Sequence, residues 1–241
     1  MSSSALPIGL SERLNAVRTR LAQAASRAGR PTPRLVAVTK STDADVAASL
    51  VRLGQLDLAE NRVQNLELKA RHLQEQGLEP RWHLVGHLQR NKARRAMSLC
   101  HSIHSVDTLE LGRALDRLGS ELGTTPELYV EVDYVQDGVR SGVPEDQVPA
   151  LVAELSRLPS LRLVGLMTIA PLPEFDGDTR RARSVFAGLR RLSQRLPAQA
   201  FAEGRPLLSM GMSTDFEIAT EEGSDCVRIG SALFESEEHG A

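Results

Sequence analysis

The chain has 241 residues, and its 29 lysine and arginine residues against 31 aspartate and glutamate residues give a formal charge of -2. So balanced a charge argues against attraction to nucleic acid or to an anionic membrane, and the length suits one large domain. The two cysteines, Cys100 and Cys226, belong to no CxxC motif or Cys/His cluster, which excludes the usual zinc and disulfide frameworks.

The N-terminal region predicts a helix that precedes the first strand. Residues 1–10 lack a basic stretch followed by a long apolar run, and no apolar run of the chain is long enough to span a membrane. We therefore expect a cytoplasmic protein with no membrane partner. Over about 8–29, Leu10, Leu14 and Val17 form one stripe of an amphipathic helix.

Eight short apolar runs follow, and each is succeeded by a helical pattern, which is typical of βα units. The predicted strands are Leu35 to Lys40, Leu56 to Asn61, Arg81 to Gly86, Ser102 to Val106, Glu127 to Asp133, Leu161 to Thr168, Leu207 to Gly211 and Cys226 to Gly230. Eight units over about 34–235 predict a single (β/α)8 TIM barrel of the α/β class, with 1–241 as one domain. An open doubly wound sheet is the rival fold, but no GxGxxG motif follows the first strand. The N-terminal helix would close the bottom of the barrel or pack beside it.

The first predicted strand ends in a lysine. Side-chain alternation places Val36, Val38 and Lys40 on one face, so the amine would lie at the mouth of the barrel, where ligands bind in this fold. Desolvation there would favour the uncharged amine, which forms a Schiff base with an aldehyde. Taken alone, a lysine that ends a strand is more often a solvated loop residue.

The last two predicted strands end in segments rich in serine and glycine, Ser209-Met210-Gly211-Met212-Ser213 and Arg228-Ile229-Gly230-Ser231. Loops at these two positions of a barrel recurrently bind phosphate. Glycine lets backbone amides approach the oxygens, serine adds hydroxyl donors, and a helix beginning near Thr214-Asp215 adds its positive end. Together the two loops predict a phosphate site.

Three polar residues within strands leave alternatives open. Arg228 lies on the face opposite its apolar neighbours, so it needs an acceptor, either the ring nitrogen of a pyridine cofactor or a core carboxylate such as Glu217 or Asp215. His83 is either a ligand contact or a satisfied core group. Asn61 is either a ligand contact or a helix N-cap.

Six spaced segments carry a resemblance that extends from about Leu35 to Phe234. They are Ala37-Val38-Thr39-Lys40, Glu60-Asn61-Arg62-Val63-Gln64, Trp82 to Lys92, Gly165 to Ile169, Leu208 to Asp215 and Val227 to Gly230. In this order they resemble the pyridoxal phosphate homeostasis proteins, a family similar in turn to the N-terminal barrel of bacterial alanine racemase.

The resemblance implies pyridoxal 5'-phosphate (PLP) as cofactor, held as an internal aldimine on Lys40. Asn61, His83 and Met167 would line the cofactor pocket, and Arg228 would stand beside the pyridine nitrogen. Because arginine only donates hydrogen bonds, it would keep that nitrogen unprotonated and weaken the ring as an electron sink. The phosphate would be received by Ser209, Gly211, Ser213, Gly230 and Ser231, with Met212 also among the cofactor-binding residues.

The sequence departs from the pattern of the resemblance at a few positions. Ala59 stands where a glycine is usual, and Arg62 where a tyrosine is frequent. In the loop Asp137 to Gly142, Arg140 stands where many relatives have lysine. Since arginine forms no stable aldimine, a second point of attachment in this loop is in doubt.

The leading functional hypothesis is a monomeric PLP carrier, without robust turnover, that delivers the cofactor to apo-enzymes and so maintains PLP homeostasis. The chain ends soon after the eighth strand, whereas alanine racemase continues into a β-domain that supplies a catalytic tyrosine, so racemisation would lack half of its proton-transfer groups. One alternative is a racemase-like PLP enzyme that acts on a small amino acid with Lys40 as base. Another is a phosphate-binding barrel that holds no PLP.

Overall fold

The computed structural model describes residues 8–135, 141–171 and 179–234. Its strands, in chain order, are β1 (Arg34–Val38), β2 (Asp57–Glu60), β3 (Arg81–Leu84), β4 (Ser102–Val106), β5 (Glu127–Asp133), β6 (Val143–Pro144), β7 (Arg162–Met167), β8 (Leu207–Ser209) and β9 (Cys226–Ile229). All strands but β6 form one parallel sheet, which closes because β1 pairs with β9 and β4 pairs with β5. The two-residue strand β6 pairs with the end of β5. The predicted (β/α)8 barrel is therefore confirmed.

Helices surround the barrel at the positions that the apolar periodicity predicts. They are α1 (Leu10–Arg27), α2 (Ala44–Arg52), α3 (Val63–Glu75), α4 (Ala93–Leu99), α5 (Leu109–Leu122), α6 (Val148–Leu155), α7 (Arg180–Arg195), α8 (Phe216–Glu221) and α9 (Ser231–Phe234). Local signals set several boundaries: the Asp43 carboxylate accepts from Val46 N, and the Thr108 hydroxyl accepts from Leu111 N. Gly123 ends α5 in the left-handed region, with φ of 65°.

The barrel wall separates two cores. Leu35 and Ala37 of β1 pack outward in the large apolar cluster that includes the helices. Val36 and Val38 pack inward with Ala59. The alternation predicted for the first strand is therefore present, and Lys40 follows Val38 by two residues.

The N-terminal helix packs beside the barrel and not beneath it. The Arg13 guanidinium of α1 donates to the carbonyl of Leu233 in α9 at 2.8 Å, and Arg20 pairs with Glu217 of α8 at 3.1 Å. Since α8 and α9 flank the last two strands, α1 covers that side of the barrel. In the part of the chain that the structure describes, no helix has both the length and the apolar character needed to cross a bilayer.

Candidate functional site

The carboxyl end of β1 brings Lys40 next to the loop that follows β9. Val36 is paired with Arg228, and a Cβ added at Gly230 would lie 3.4 Å from the Val38 carbonyl oxygen. Lys40 lies in the turn just beyond, and its side chain is exposed. The desolvation expected around its amine is therefore not found in this structure, although the amine does stand at the mouth of the barrel.

A buried ion pair supports the turn that carries Lys40. Thr39 is fully buried, and its hydroxyl donates to Glu60 Oε1 at 2.7 Å. The Lys69 ammonium of α3 donates to the same oxygen and to the Thr39 carbonyl, at 2.6 Å each. This arrangement could not be predicted from the sequence, because Lys69 has the pattern of an ordinary surface lysine of a helix.

The loops after β8 and β9 are joined by one hydroxyl group. Ser213 Oγ accepts hydrogen bonds from the amides of Gly230 and Ala232, at 3.2 Å each. Its own proton has no acceptor among the described residues and is available to a ligand. Ser231 lies between the two amides, so the serine-rich and glycine-rich segments meet as the sequence predicts.

Gly211 keeps the loop after β8 close to α8. Its φ is 98°, and a Cβ there would lie 2.6 Å from the Cβ of Ala219. The loop continues through Met212, whose amide donates to Asp215 Oδ1 at 2.6 Å just before α8 begins. A side chain at position 211 would therefore distort the loop after β8, which is part of the predicted phosphate site.

Arg228 is held inside the barrel by neutral partners. One guanidinium nitrogen donates to Ser209 Oγ at 2.7 Å, and the other terminal nitrogen donates to the Thr168 carbonyl at 2.9 Å. Burial lowers the pKa of Arg228 from its usual value. The carboxylate alternative was wrong: Glu217 pairs with Arg20 instead, and Asp215 accepts from the backbone of its own loop.

His83 belongs to a buried polar chain that runs through the barrel. Its Nε2 is 3.0 Å from Asp57 Oδ1, and its Nδ1 is 2.6 Å from Ser102 Oγ. Ser102 Oγ is 2.7 Å from His104 Nε2, and His104 Nδ1 is 2.9 Å from Ser209 Oγ. Burial lowers the pKa of both imidazoles, so both rings are neutral at pH 7. His83 is thus a satisfied core group, and its hydroxyl and carboxylate partners lie on β4 and at the start of β2.

Asn61 and Met167 lie at the ends of their strands. The half-buried Asn61 is not an N-cap, because Arg62 occupies that position before α3. Asn61 borders a cavity of about 590 Å³ that is also lined by Gln89 and Lys92. Met167, the last residue of β7, is fully buried inside the barrel.

The structure therefore divides the predicted site residues into two groups. At the rim of the barrel lie Lys40, Asn61, Gly211, Met212, Ser213, Gly230 and Ser231. Inside the barrel, below the rim, lie His83, Met167, Ser209 and Arg228. The Ser209 hydroxyl bonds to Arg228 and His104, so this geometry favours a role in holding Arg228 over a role in binding phosphate. Arg140 lies outside the described residues.

Comparisons with known proteins agree with this architecture. A family model described as alanine racemase, N-terminal domain, matches residues 13–238. The pyridoxal phosphate homeostasis protein of Aquifex aeolicus is 34% identical over 225 residues, which are 92% of this chain and 96% of that protein. Its namesake from Mycobacterium leprae is 37% identical over 239 residues, covering 91% of this chain and 90% of the relative.

The chain belongs to the pyridoxal phosphate homeostasis protein family. This membership confirms the resemblance carried by the six sequence segments. Within the family, the structure of PipY from Synechococcus elongatus PCC7942, solved with PLP bound, superposes with a TM-score of 0.81 and 35% identity. The alignment covers 93% of this chain and 99% of PipY.

Proposed function

We propose that this chain binds PLP covalently through Lys40 and takes part in PLP homeostasis. The observation that carries the proposal is that Val38 at the end of β1, two residues before Lys40, lies against Gly230, whose amide donates to Ser213 in the loop after β8. An amine and an anion cradle thus share one rim of the barrel. Family membership and the PLP-bound structure of PipY support the same ligand.

The residues present fit the three functional groups of PLP. The aldehyde requires an amine, which Lys40 supplies. The phosphate requires donors, and the rim offers the Ser213 hydroxyl, whose proton is uncommitted among the described residues. The pyridine nitrogen requires a partner at the base of the pocket, where Arg228 lies. The proposed cofactor-binding residues are Lys40, Asn61, Met167, Gly211, Met212, Ser213, Arg228, Gly230 and Ser231, whereas Ser209 and His83 would act on the cofactor through Arg228.

Covalent attachment would use the exposed Lys40 amine as a nucleophile. Its nitrogen forms a C=N double bond with the aldehyde carbon, and the carbonyl oxygen leaves as water. The reaction is reversible, so cofactor held at an exposed rim can be released again. This property suits a protein that stores a reactive aldehyde and gives it up.

Arg228 favours storage over catalysis. Arginine carries only donors, so at the ring nitrogen it leaves that nitrogen unprotonated, and the ring then stabilises a carbanion poorly. The two tyrosines of the chain lie elsewhere: Tyr129 stacks on His104 inside the barrel, and the ring of Tyr134 packs against Gly188 of α7. Neither is placed to exchange a proton opposite Lys40.

We further propose that the protein acts as a cytoplasmic monomer that hands PLP to apo-enzymes. The exposed amine supports this, because a partner could approach the rim without any rearrangement of the barrel. Sedimentation velocity tests the oligomeric state. Delivery is tested by mixing the PLP-loaded protein with a purified apo-transaminase and following the recovery of transaminase activity. Recovery no faster than with an equal amount of free PLP would argue against direct transfer.

Borohydride reduction tests the covalent assignment. PLP-loaded protein should show the visible absorption band of a Schiff base, and reduction should fix the cofactor to the peptide containing Lys40. Lys40→Ala should lose the band, whereas the rim variant Lys92→Ala should retain it. An undiminished Schiff-base band in Lys40→Ala, or cofactor fixed to another lysine after reduction, would contradict the proposal.

Proton exchange distinguishes the carrier from the racemase-like alternative. The α-proton of each amino acid in a panel is followed in deuterated water with the PLP-loaded protein. We expect exchange far below the rates of ordinary enzymes, which are about 1–1000 per second. Lysine-dependent exchange within that range would favour an enzyme.

A further inference from the structure

The buried polar chain through the barrel has a single direction. Asp57 is ionised: its burial raises the pKa, but hydrogen bonds from His83 and Arg81 outweigh that effect and hold the pKa well below its usual value. A carboxylate only accepts, so His83 Nε2 must carry a proton and donate to Asp57. The neutral ring then has a bare Nδ1, which accepts from the hydroxyl of Ser102.

The remaining protons of the buried side chains follow from the bare Nδ1 of His83. Because the Ser102 proton is given to His83, Ser102 Oγ accepts from His104 Nε2, and His104 Nδ1 is left bare. That nitrogen accepts from the hydroxyl of Ser209. Ser209 Oγ in turn accepts from Arg228. Every donor therefore points from Arg228 toward Asp57, and the direct contact of His104 Nε2 with His83 Nδ1, at 3.2 Å, has the same direction.

We propose that His104 is a positioning residue that holds Arg228 through Ser209. The series of hydrogen-bonded side chains that ends at Asp57 then moderates the positive charge that Arg228 presents to the cofactor. The inference rests on the proposed function, since it gives Arg228 its place beside the ring nitrogen. Aligned hydrogen bonds polarise one another, so a carboxylate at one end makes Ser209 a better acceptor at the other. His83 thereby influences the cofactor through the hydrogen bonds that lead to Arg228, without contacting the cofactor itself.

Other titratable groups face Arg228 without belonging to this chain of hydrogen bonds. Cys226 of β9, Asp215 before α8, and Glu131 and Tyr129 of β5 all interact electrostatically with the guanidinium. Asp215 bonds to the Met212 amide, and Glu131 Oε2 accepts from Ser141 at 3.0 Å. All four remain unchanged in the variants below, so their effect cancels in the comparison.

The structure offers a matched pair of carboxylates for the test. Asp57 lies at the amino-terminal end of the barrel and binds Arg81 through both oxygens. Asp225, at the same end just before β9, binds Arg205 through both oxygens and accepts from the Leu208 amide, but among the described residues it has no hydrogen bond to a histidine. Asp57→Asn and Asp225→Asn therefore remove the same charge from the same kind of ion pair, and only the first cuts the polarised chain.

The first experiment titrates the visible band of the PLP-loaded variants against pH. In Asp57→Asn, Arg228 should present more positive charge, so the protonated Schiff base should be disfavoured about threefold relative to Asp225→Asn. If the visible band titrates at the same pH in both variants, the proposed coupling between Asp57 and Arg228 is overturned.

The second experiment changes His104 itself. His104→Leu removes the acceptor of the Ser209 proton, and loss of a hydrogen bond in a charged network should weaken PLP binding about tenfold. His104→Asn can present its amide oxygen near the position of Nδ1 and should restore most of that affinity. Unaltered binding by His104→Leu, with wild-type thermal stability, would refute the positioning role.

A third measurement needs no cofactor. In the PLP-free chain, nitrogen-15 chemical shifts should show His83 and His104 as neutral rings protonated at Nε2. An Nδ1 proton on either ring would break the directional chain and overturn the inference even if Lys40 binds PLP. Conversely, wild-type protein that forms no adduct at Lys40 would defeat the proposed function, and the inference with it, whatever the tautomers.

Discussion

Replacing Lys69 by methionine tests the buried ion pair that supports the Lys40 turn. The Lys69 ammonium bonds to Glu60 Oε1 and to the Thr39 carbonyl, and its side chain is only 9% exposed. Methionine has a similar length but would leave the buried Glu60 carboxylate with the Thr39 hydroxyl as its remaining partner. Removing one member of a buried ion pair costs about 3–5 kcal/mol, so the free energy of unfolding should fall by about that amount.

Urea unfolding at pH 7 measures this loss. Lys92→Met is the control, because Lys92 is half-buried and forms no ion pair within the described residues, so its effect should stay within about 0.5 kcal/mol. Adding Glu60→Gln to Lys69→Met removes the orphaned charge and should recover a large part of the stability. A loss below about 1 kcal/mol in the single variant, or a double variant no more stable than it, would refute the reasoning.

Three further predictions concern the cradle and the acid stability. Gly211→Ala should destabilise the chain by about 1–3 kcal/mol in thermal unfolding, because alanine is strained at the φ of this position and its Cβ would meet Ala219. Gly204→Ala is the control and should lose less stability, since Gly204 also has a positive φ but open space around it. Ser213→Ala should weaken PLP binding about tenfold in equilibrium dialysis yet barely affect pyridoxal, which has no phosphate; equal losses would argue against a phosphate contact. The depressed pKa of Asp57 stabilises the fold fully above the carboxyl's unfolded pKa, and this stabilisation is lost as pH falls from that value toward the lower pKa of the folded state. In Asp57→Asn the free energy of unfolding should therefore fall less steeply as the pH is lowered. An unchanged dependence on acidic pH would contradict the proposed contribution of Asp57.

The barrel could be predicted because its signals are local. Each strand is a short apolar run next to an amphipathic helix, and the caps at Asp43 and Thr108 lie within three residues of the amides that they satisfy. The rim residues follow from the same logic, since the fold places strand ends together. The positions of Lys40 and of the Ser213 loop at the rim could therefore be predicted from sequence alone.

The buried polar partners could not be predicted, because barrel closure alone brings them together. His104 and Ser209 are 105 residues apart, and Arg228 finds its acceptors on the neighbouring strand β8 and just beyond β7. Sequence reasoning therefore offered carboxylates for Arg228 where the structure has a hydroxyl and a carbonyl. Ser102 and His104 alternate within an apolar strand, and that pattern was the one available sign of a polar barrel interior.

A crystal structure of this chain grown with PLP would show whether Lys40 and the two loops hold one cofactor. We expect continuous density between Lys40 Nζ and the cofactor, phosphate oxygens within hydrogen-bonding distance of Ser213 and the Gly230 loop, and the ring nitrogen facing Arg228. Cofactor joined to another lysine, or phosphate bound away from the loops after β8 and β9, would contradict this expectation.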